Sequence, residues 1–134
     1  METISLTLNC DSSCKIVACG IDTESISRFL PFCRQSINPM PMVYSSYEYR
    51  LSLHHKNPAV FLCAAFCCKE AVFKALQKPY NFNTCVLGEI TENKYHQLQV
   101  SDPVFKEANI DKIFARLFLA PGECSVCVLL ACKH

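Results

Sequence analysis

NPAVFLCAAFCCKEAVFKAL, residues 57–76, is the segment that decides the predicted fold. Asn57 is a favourable N-cap, and Pro58 suits the first position of a helix. After Val60 the segment has no glycine or proline and, apart from Val72, no β-branched residue, so its composition favours one long helix. Apolar residues surround almost the whole helix, which predicts that most of its surface is buried.

Three charged residues, Lys69, Glu70 and Lys74, interrupt this apolar helix near its end. Glu70 and Lys74 are one helical turn apart and therefore share a face. One interpretation is a surface ion pair worth roughly a few tenths of a kcal/mol. The other is that this face borders a site for a cation, a phosphate or both, because a buried charge needs a partner. The helix alone leaves both interpretations open.

Length and composition predict a single domain over residues 1–134, since half of the residues are apolar and can form a core. No run of eighteen apolar residues is free of charge, so we expect no membrane span. The first residues, METISLTLNCDSS, lack the features of a secretion signal, and we expect a cytoplasmic protein. A net charge of +1 without a basic block gives no support for nucleic-acid binding.

The chain has eleven cysteines, most of them in apolar runs, where free cysteine acts as a small hydrophobic residue. The odd count and the expected reducing compartment argue against a disulfide framework. Cys124 and Cys127 have zinc-ligand spacing, but in a strand their side chains would point to opposite faces. A redox or metal-binding role for the cysteines is therefore only a weak alternative for the function of the protein.

The remaining pattern alternates between strands and helices. Strands are predicted at residues 4–8, 15–21, 84–91, 95–100, 113–119 and 124–132, with turns at 9–13, 92–94 and 121–122. Helices are predicted at 25–32 and 47–55, with a short one up to residue 109 that Asp102 caps. We expect strand 15–21 to be central because its apolar run is continuous. This order predicts an α+β domain, with the long helix packed on one face of a mainly antiparallel sheet.

Two acidic residues follow the predicted strand 15–21. Asp22 ends the strand, and Thr23 and Glu24 can start a helix. In extended chain, Asp22 and Glu24 point the same way. Carboxylates at such a position suit Mg²⁺, which binds a few carboxylates together with water and substrate phosphate. A lysine beside them would neutralise charge on a transferred phosphoryl group.

GIDTESISRF at residues 20–29, followed by AAFCCKEAVFKAL at 64–76, resembles the 4′-phosphopantetheinyl transferase superfamily. The resemblance runs from about residue 15 to residue 76, and the chain length is similar to that of the short class, the holo-acyl-carrier-protein synthases. It implies Mg²⁺-dependent transfer of the phosphopantetheine arm of coenzyme A to a serine of a carrier protein, with release of adenosine 3′,5′-bisphosphate. It also implies a homo-oligomer, a trimer or else a dimer, because the chain has one lobe.

The same resemblance implies the metal ligands. Asp22 and Glu70 match the two metal-binding carboxylates of the family. Glu24 matches the second acid of the longer, two-lobed class, whereas the short class has its acid one position later, where this chain has Ser25.

Catalytic and binding roles follow from the resemblance in the same way. Glu70 is expected to act also as general base toward the serine hydroxyl. Lys74 is expected to contact phosphate and to help the leaving group, and Lys69 to bind cofactor phosphate. Arg28 matches a basic position that contacts the acidic carrier, although an ordinary solvated arginine is an equal alternative.

Two departures from the family pattern favour the remaining alternative, a non-catalytic module that binds carrier proteins on the same fold. Gln77-Lys78-Pro79 follows the long helix, where the family has glycine. The segment RLFLAPGECSV at 116–126 lacks the Ser-His pair of the short class. His54, His55 and His96 could replace the family histidine only if the fold brought one of them there, and each is expected to be an ordinary, partly exposed histidine.

Overall fold

The computed structural model describes residues 14–88 and 91–133. The strand predicted at 4–8 and the turn at 9–13 therefore lie outside the described residues. The strands are β1 (Cys14–Ser25), β2 (Cys85–Val86), β3 (Tyr95–Gln97), β4 (Gln99–Val100), β5 (Lys112–Ala120) and β6 (Glu123–Lys133). The α-helices are α1 (Ser46–His54), α2 (Pro58–Leu76) and α3 (Pro103–Glu107), and 3₁₀ helices span Ile26–Phe32 and Phe82–Thr84.

The main sheet is antiparallel and has the order β1-β6-β5-β3. Helix α2 lies against the face of β6 that carries Cys124, Val126, Val128 and Leu130, all 1% exposed or less. The predicted α+β fold with a mainly antiparallel sheet is confirmed. Helix α2 begins and ends where the sequence predicts, at Pro58 and Leu76.

Strand β1 differs from the prediction in two ways. Within the described residues it is an edge strand of the sheet, and β6 is central, so the prediction of a central β1 is wrong there. It also continues through Asp22, Thr23 and Glu24 to Ser25, instead of giving way to a helix at Thr23. Pairing with β6 extends the strand, and the Thr23 and Ser125 hydroxyl oxygens lie 2.7 Å apart across the two strands.

Strand β1 packs directly against α2 at Gly20. A Cβ atom at this position would lie 2.1 Å from the backbone oxygen of Ala71, which is far inside van der Waals contact. Glycine is therefore needed for the close approach of strand and helix. This contact brings the next inward-facing residue of β1, Asp22, to the late turns of α2.

The segment between α2 and β5 does not form the single hairpin predicted at 84–100. Residues 95–97 pair with β5, whereas 99–100 pair with 85–86 in a separate two-stranded sheet. The alternation of apolar and polar residues predicts which face of a strand is buried, but it does not show which neighbouring strand it pairs with. The hairpin of β5 and β6 is as predicted, with Gly122 at a positive φ of 75° in the turn.

The other helices lie close to their predicted positions. Helix α1 begins with a capping box of Ser45 and Glu48, and Asp102 caps α3 through the backbone N–H of Val104. The region predicted as helix 25–32 is a 3₁₀ helix that contains Pro31. In the described part of the chain, no helix is long and apolar enough to cross a membrane.

Candidate active site

Asp22 and Glu24 face α2 from the same side of β1. Asp22 is 7% exposed, and among the described residues its Oδ2 has no hydrogen-bond partner. Glu24 is half-buried, and burial is the main factor that raises its pKa. The negative charge of Asp22 raises it further, while Arg28 opposes the shift. The two carboxyl groups are therefore close enough that ionisation of one disfavours ionisation of the other.

Lys74 connects this acidic pair to α2. Its ammonium group donates to Oδ1 of Asp22 at 2.7 Å and to the backbone oxygen of Ile21 at 3.2 Å. The bond to Asp22 raises the pKa of Lys74, and the negative charges of Glu70 and Glu24 contribute to the shift. The Lys74 side chain is 52% exposed, so it can also reach a ligand in the solvent.

Arg28 holds the second carboxylate. Its guanidinium donates to Oε1 of Glu24, four residues earlier in the chain, at 2.5 Å. The same group lies over the rings of Phe29 and Phe66, 5.6 and 5.1 Å from their centroids. This cation–π packing holds the guanidinium beside Glu24 while leaving the side chain 57% exposed.

Glu70 is half-buried on α2, one turn before Lys74. Its negative charge contributes to the raised pKa of Lys74, after the larger effect of the bond to Asp22. However, no group of three His, Cys, Asp or Glu side chains in residues 14–88 and 91–133 is arranged to hold a metal ion. The structure thus brings Asp22, Glu24, Lys74 and Arg28 together, and it does not unite Glu70 with both other acids in one ready-made metal cluster.

Lys69 has a different environment from the one that the sequence predicts. It is 1% exposed, and its ammonium contacts both Glu48 carboxylate oxygens, at 2.9 and 3.0 Å. It also donates to the backbone oxygens of Phe82, at 2.9 Å, and Cys85. With its donors used inside the core, Lys69 is not available to bind the phosphate of a cofactor, and that prediction is corrected.

The partner of Lys69, Glu48, is a residue that the sequence analysis missed. It is fully buried, and it also accepts hydrogen bonds from the backbone N–H groups of Ser45 and Leu87. The available signal was the spacing of Ser45 and Glu48, which is that of a capping box and marks a helix start. That pattern does not reveal a buried ion pair.

The cysteines in the described residues are all free. Cys124 is buried under α2, whereas Cys127 is half-buried on the other face of β6, as the strand prediction requires. The thiol of Cys63 lies 3.7 Å from the backbone oxygen of Glu24, directly behind the acidic pair. Its neighbours are thiols and carbonyl groups, so this part of the core packs against the site without providing a metal centre.

The two departures from the family pattern have visible local consequences. Gln77 ends α2 in the left-handed region, with φ of 59°, which is the conformation that glycine adopts most easily. The Ser-His pair of the short class is missing at the end of β5. In its place, Leu117 and Leu119 line a pocket of about 430 Å³ together with His55 and Lys56. The fold therefore brings a histidine to this hairpin from the α1–α2 connection.

Comparisons with known proteins agree with this architecture. A model of the 4′-phosphopantetheinyl transferase superfamily matches residues 18–112. A holo-acyl-carrier-protein synthase from Plasmodium yoelii is 21% identical, with a TM-score of 0.67 over 90% of this chain and 98% of that chain. The Neisseria meningitidis enzyme of the same name is 16% identical, with a TM-score of 0.70 over 87% and 98% of the two chains.

A third similar structure is the Helicobacter pylori holo-[acyl-carrier-protein] synthase, which was solved in complex with coenzyme A. It is 22% identical, with a TM-score of 0.64 over 84% of this chain and 98% of that chain. At these identities the structural likeness establishes the fold. No curated protein matches the sequence.

Proposed function

Because the chain belongs to the 4′-phosphopantetheinyl transferase superfamily, we propose that it transfers the 4′-phosphopantetheine group of coenzyme A to a serine of an acyl or peptidyl carrier protein. The observation that carries this proposal is the contact of Lys74 with Asp22, 2.7 Å long, where α2 meets β1. It joins the cation that is proposed to bind phosphate and an acid that is proposed to bind the metal ion.

Asp22 and Glu24, with Glu70 from α2, are the proposed Mg²⁺ ligands. The chemistry of the donor set fits, since the buried Oδ2 of Asp22 has no partner and Glu24 lies beside it. Mg²⁺ binds through few carboxylates and completes its shell with water and substrate phosphate, so three pre-assembled acids are not required. When bound, the ion would neutralise negative charge on the diphosphate of coenzyme A.

Lys74 and Glu70 are the proposed catalytic residues. Lys74 contacts the phosphate of coenzyme A and stabilises the negative charge of the leaving group. Glu70, directly or through a water molecule, accepts the proton of the carrier serine as its oxygen attacks the phosphorus atom. The new bond joins the serine oxygen to phosphorus, and the broken bond releases adenosine 3′,5′-bisphosphate.

Arg28 is proposed to contact the carrier protein. Its side chain is 57% exposed, and carrier proteins present acidic surfaces in this family of reactions. The guanidinium lies next to the acidic pair, so a carrier bound at Arg28 would place its serine near Glu24 and Lys74. Removing the charge, as in Arg28→Met, should therefore raise the KM for the carrier more than it lowers kcat.

We also propose a homo-oligomer, a trimer or else a dimer, formed through exposed parts of the sheet face opposite α2. Val17, Ile21 and Phe118 are large apolar residues on this face, 46, 60 and 41% exposed. Such clustered apolar exposure is typical of an interface. Light scattering of the wild type and of Ile21→Arg would test this, with a monomeric wild type contradicting it.

Transfer is tested directly by incubating the protein with coenzyme A, Mg²⁺ and a panel of apo carrier proteins, followed by intact-mass analysis. The proposal predicts that at least one carrier gains the phosphopantetheine mass, and that EDTA prevents it. A non-catalytic carrier-binding module would bind a carrier with no gain in mass, while a control transferase modifies the same panel.

A further inference from the structure

Each of the two acids at the end of β1 is held by a cation of the same chain. Lys74 binds Oδ1 of Asp22 at 2.7 Å, and Arg28 binds Oε1 of Glu24 at 2.5 Å. Two neighbouring carboxylates repel each other. Two single positive charges therefore balance two negative charges at a site whose proposed ligand, a divalent cation, carries the same total charge.

Both cations are accessible to solvent. The side chains of Lys74 and Arg28 are 52 and 57% exposed, whereas those of Asp22 and Glu24 are 8 and 17% exposed. The carboxylates belong to a paired strand, while the long basic side chains can turn toward solvent. In doing so Lys74 gives up its bonds to Asp22 and Ile21, and Arg28 gives up its bond to Glu24 and its packing on two aromatic rings. The exposed ion pairs themselves are weak, worth about 0–1 kcal/mol each.

We propose that Lys74 and Arg28 are placeholders, which occupy oxygens of Asp22 and Glu24 in the metal-free protein and leave them when a divalent cation is bound. The inference rests on the proposed metal site. It goes further in assigning these two basic residues a second position: once released, Lys74 is available for the phosphates of coenzyme A and Arg28 for the acidic carrier.

This exchange couples the metal to both substrates. In the metal-free protein, Lys74 and Arg28 are engaged within the chain, so phosphate and carrier must compete with Asp22 and Glu24 for them. After the exchange the same two cations are free, so metal binding and substrate binding favour each other. The arrangement would keep coenzyme A and carrier binding weak until the metal-binding acids are filled.

The test measures binding of Mn²⁺ alone, without coenzyme A or carrier, by electron paramagnetic resonance. The variants are Lys74→Met and Arg28→Met. The matched control is Lys78→Met, which replaces an exposed lysine just beyond α2 and outside the proposed site. Because the placeholders compete with the metal, Lys74→Met and Arg28→Met should each bind Mn²⁺ about tenfold more tightly than the wild type. Lys78→Met should stay within about twofold.

A second measurement separates direct exchange from a general effect of charge. Addition of Mg²⁺ to wild-type protein should move the side-chain ammonium signal of Lys74 in NMR spectra and leave that of Lys78 in place. If Mn²⁺ affinity of Lys74→Met and Arg28→Met is no higher than that of Lys78→Met, the placeholder inference is overturned while the proposed function stands. If the wild type and all variants fail to bind Mn²⁺, the proposed metal site is overturned with it.

Discussion

The ammonium group of Lys74 lies 2.7 Å from Oδ1 of Asp22, across 52 positions of the sequence. The lysine side chain is half-exposed, so solvent screens the pair and its stabilising contribution is below about 1 kcal/mol. This contact is the basis of the proposed active site.

Replacement of Lys74 by methionine should therefore separate activity from stability. The free energy of unfolding of Lys74→Met should change by less than about 1 kcal/mol. Its transfer rate should fall on the order of a hundredfold, because a charge that stabilises the leaving group is lost. Urea unfolding and the carrier modification rate are the measurements, with Lys78→Met as control. Wild-type activity in Lys74→Met would contradict the assigned role.

The end of α2 gives a prediction about stability. Gln77 has φ of 59°, where a residue with a Cβ atom is strained and glycine is not. Gln77→Gly should raise the free energy of unfolding by up to about 1 kcal/mol, measured by urea denaturation. Lys78→Gly, in the next position, is the matched control and should give no such gain. A clear loss of stability in Gln77→Gly would show that its side chain makes a needed contact.

The buried pair of Lys69 and Glu48 gives a prediction of a large change in stability, in contrast to the small change expected at Lys74. Lys69→Met leaves the Glu48 carboxylate buried without its partner and should cost about 3–5 kcal/mol of unfolding free energy. Adding Glu48→Gln removes that charge and keeps an acceptor for the backbone N–H groups of Ser45 and Leu87. The double variant should therefore recover most of the loss in thermal or urea unfolding.

A double variant no more stable than Lys69→Met alone would contradict this account of the pair. Full stability in Lys69→Met would contradict it as well, and would reopen the role of Lys69 as a surface ligand for phosphate.

The raised pKa of Glu24 predicts a specific pH dependence of stability in metal-free protein. A carboxyl group that holds its proton more tightly when folded lowers stability as pH rises from its ordinary pKa, 4.5, to the raised value. Glu24→Gln should abolish this fall and be more stable than the wild type above that window, although it also loses the bond from Arg28. Thermal unfolding in EDTA across this pH range provides the measurement; a wild type and variant with parallel pH profiles would refute it.

The sequence predicted the fold well where local signals agree with the packing. Helix α2 has a proline start and a long apolar composition, and the β5–β6 hairpin has a Pro-Gly turn, so both could be predicted. The order of the strands could not be predicted from the sequence. Apolar alternation in residues 95–100 does not show that part of the segment pairs with β5 and part with β2. Nor did it show that pairing with β6 continues β1 through Asp22.

Local signals also predicted part of the arrangement of the candidate site, whereas long-range contacts decided the rest. Asp22 and Glu24 share a face in extended chain, and that relationship holds in β1. Lys69 and Lys74 look alike in the sequence, yet one is buried against Glu48 and the other reaches Asp22. Because nearly every side of α2 is apolar, periodicity did not show which side faces solvent. Contacts over long sequence separation decide this, and they are not visible in a single sequence.

The most direct test of the central claim is a parallel transfer assay with wild type, Asp22→Asn and Glu70→Gln. Each protein is incubated with coenzyme A, Mg²⁺ and an apo carrier that the wild type modifies, and both the carrier mass and released adenosine 3′,5′-bisphosphate are measured. The account predicts equal amounts of modified carrier and bisphosphate with the wild type, and a loss on the order of a hundredfold or more with each variant. Undiminished transfer by folded Asp22→Asn and Glu70→Gln, or no transfer by the wild type to any carrier, would contradict it.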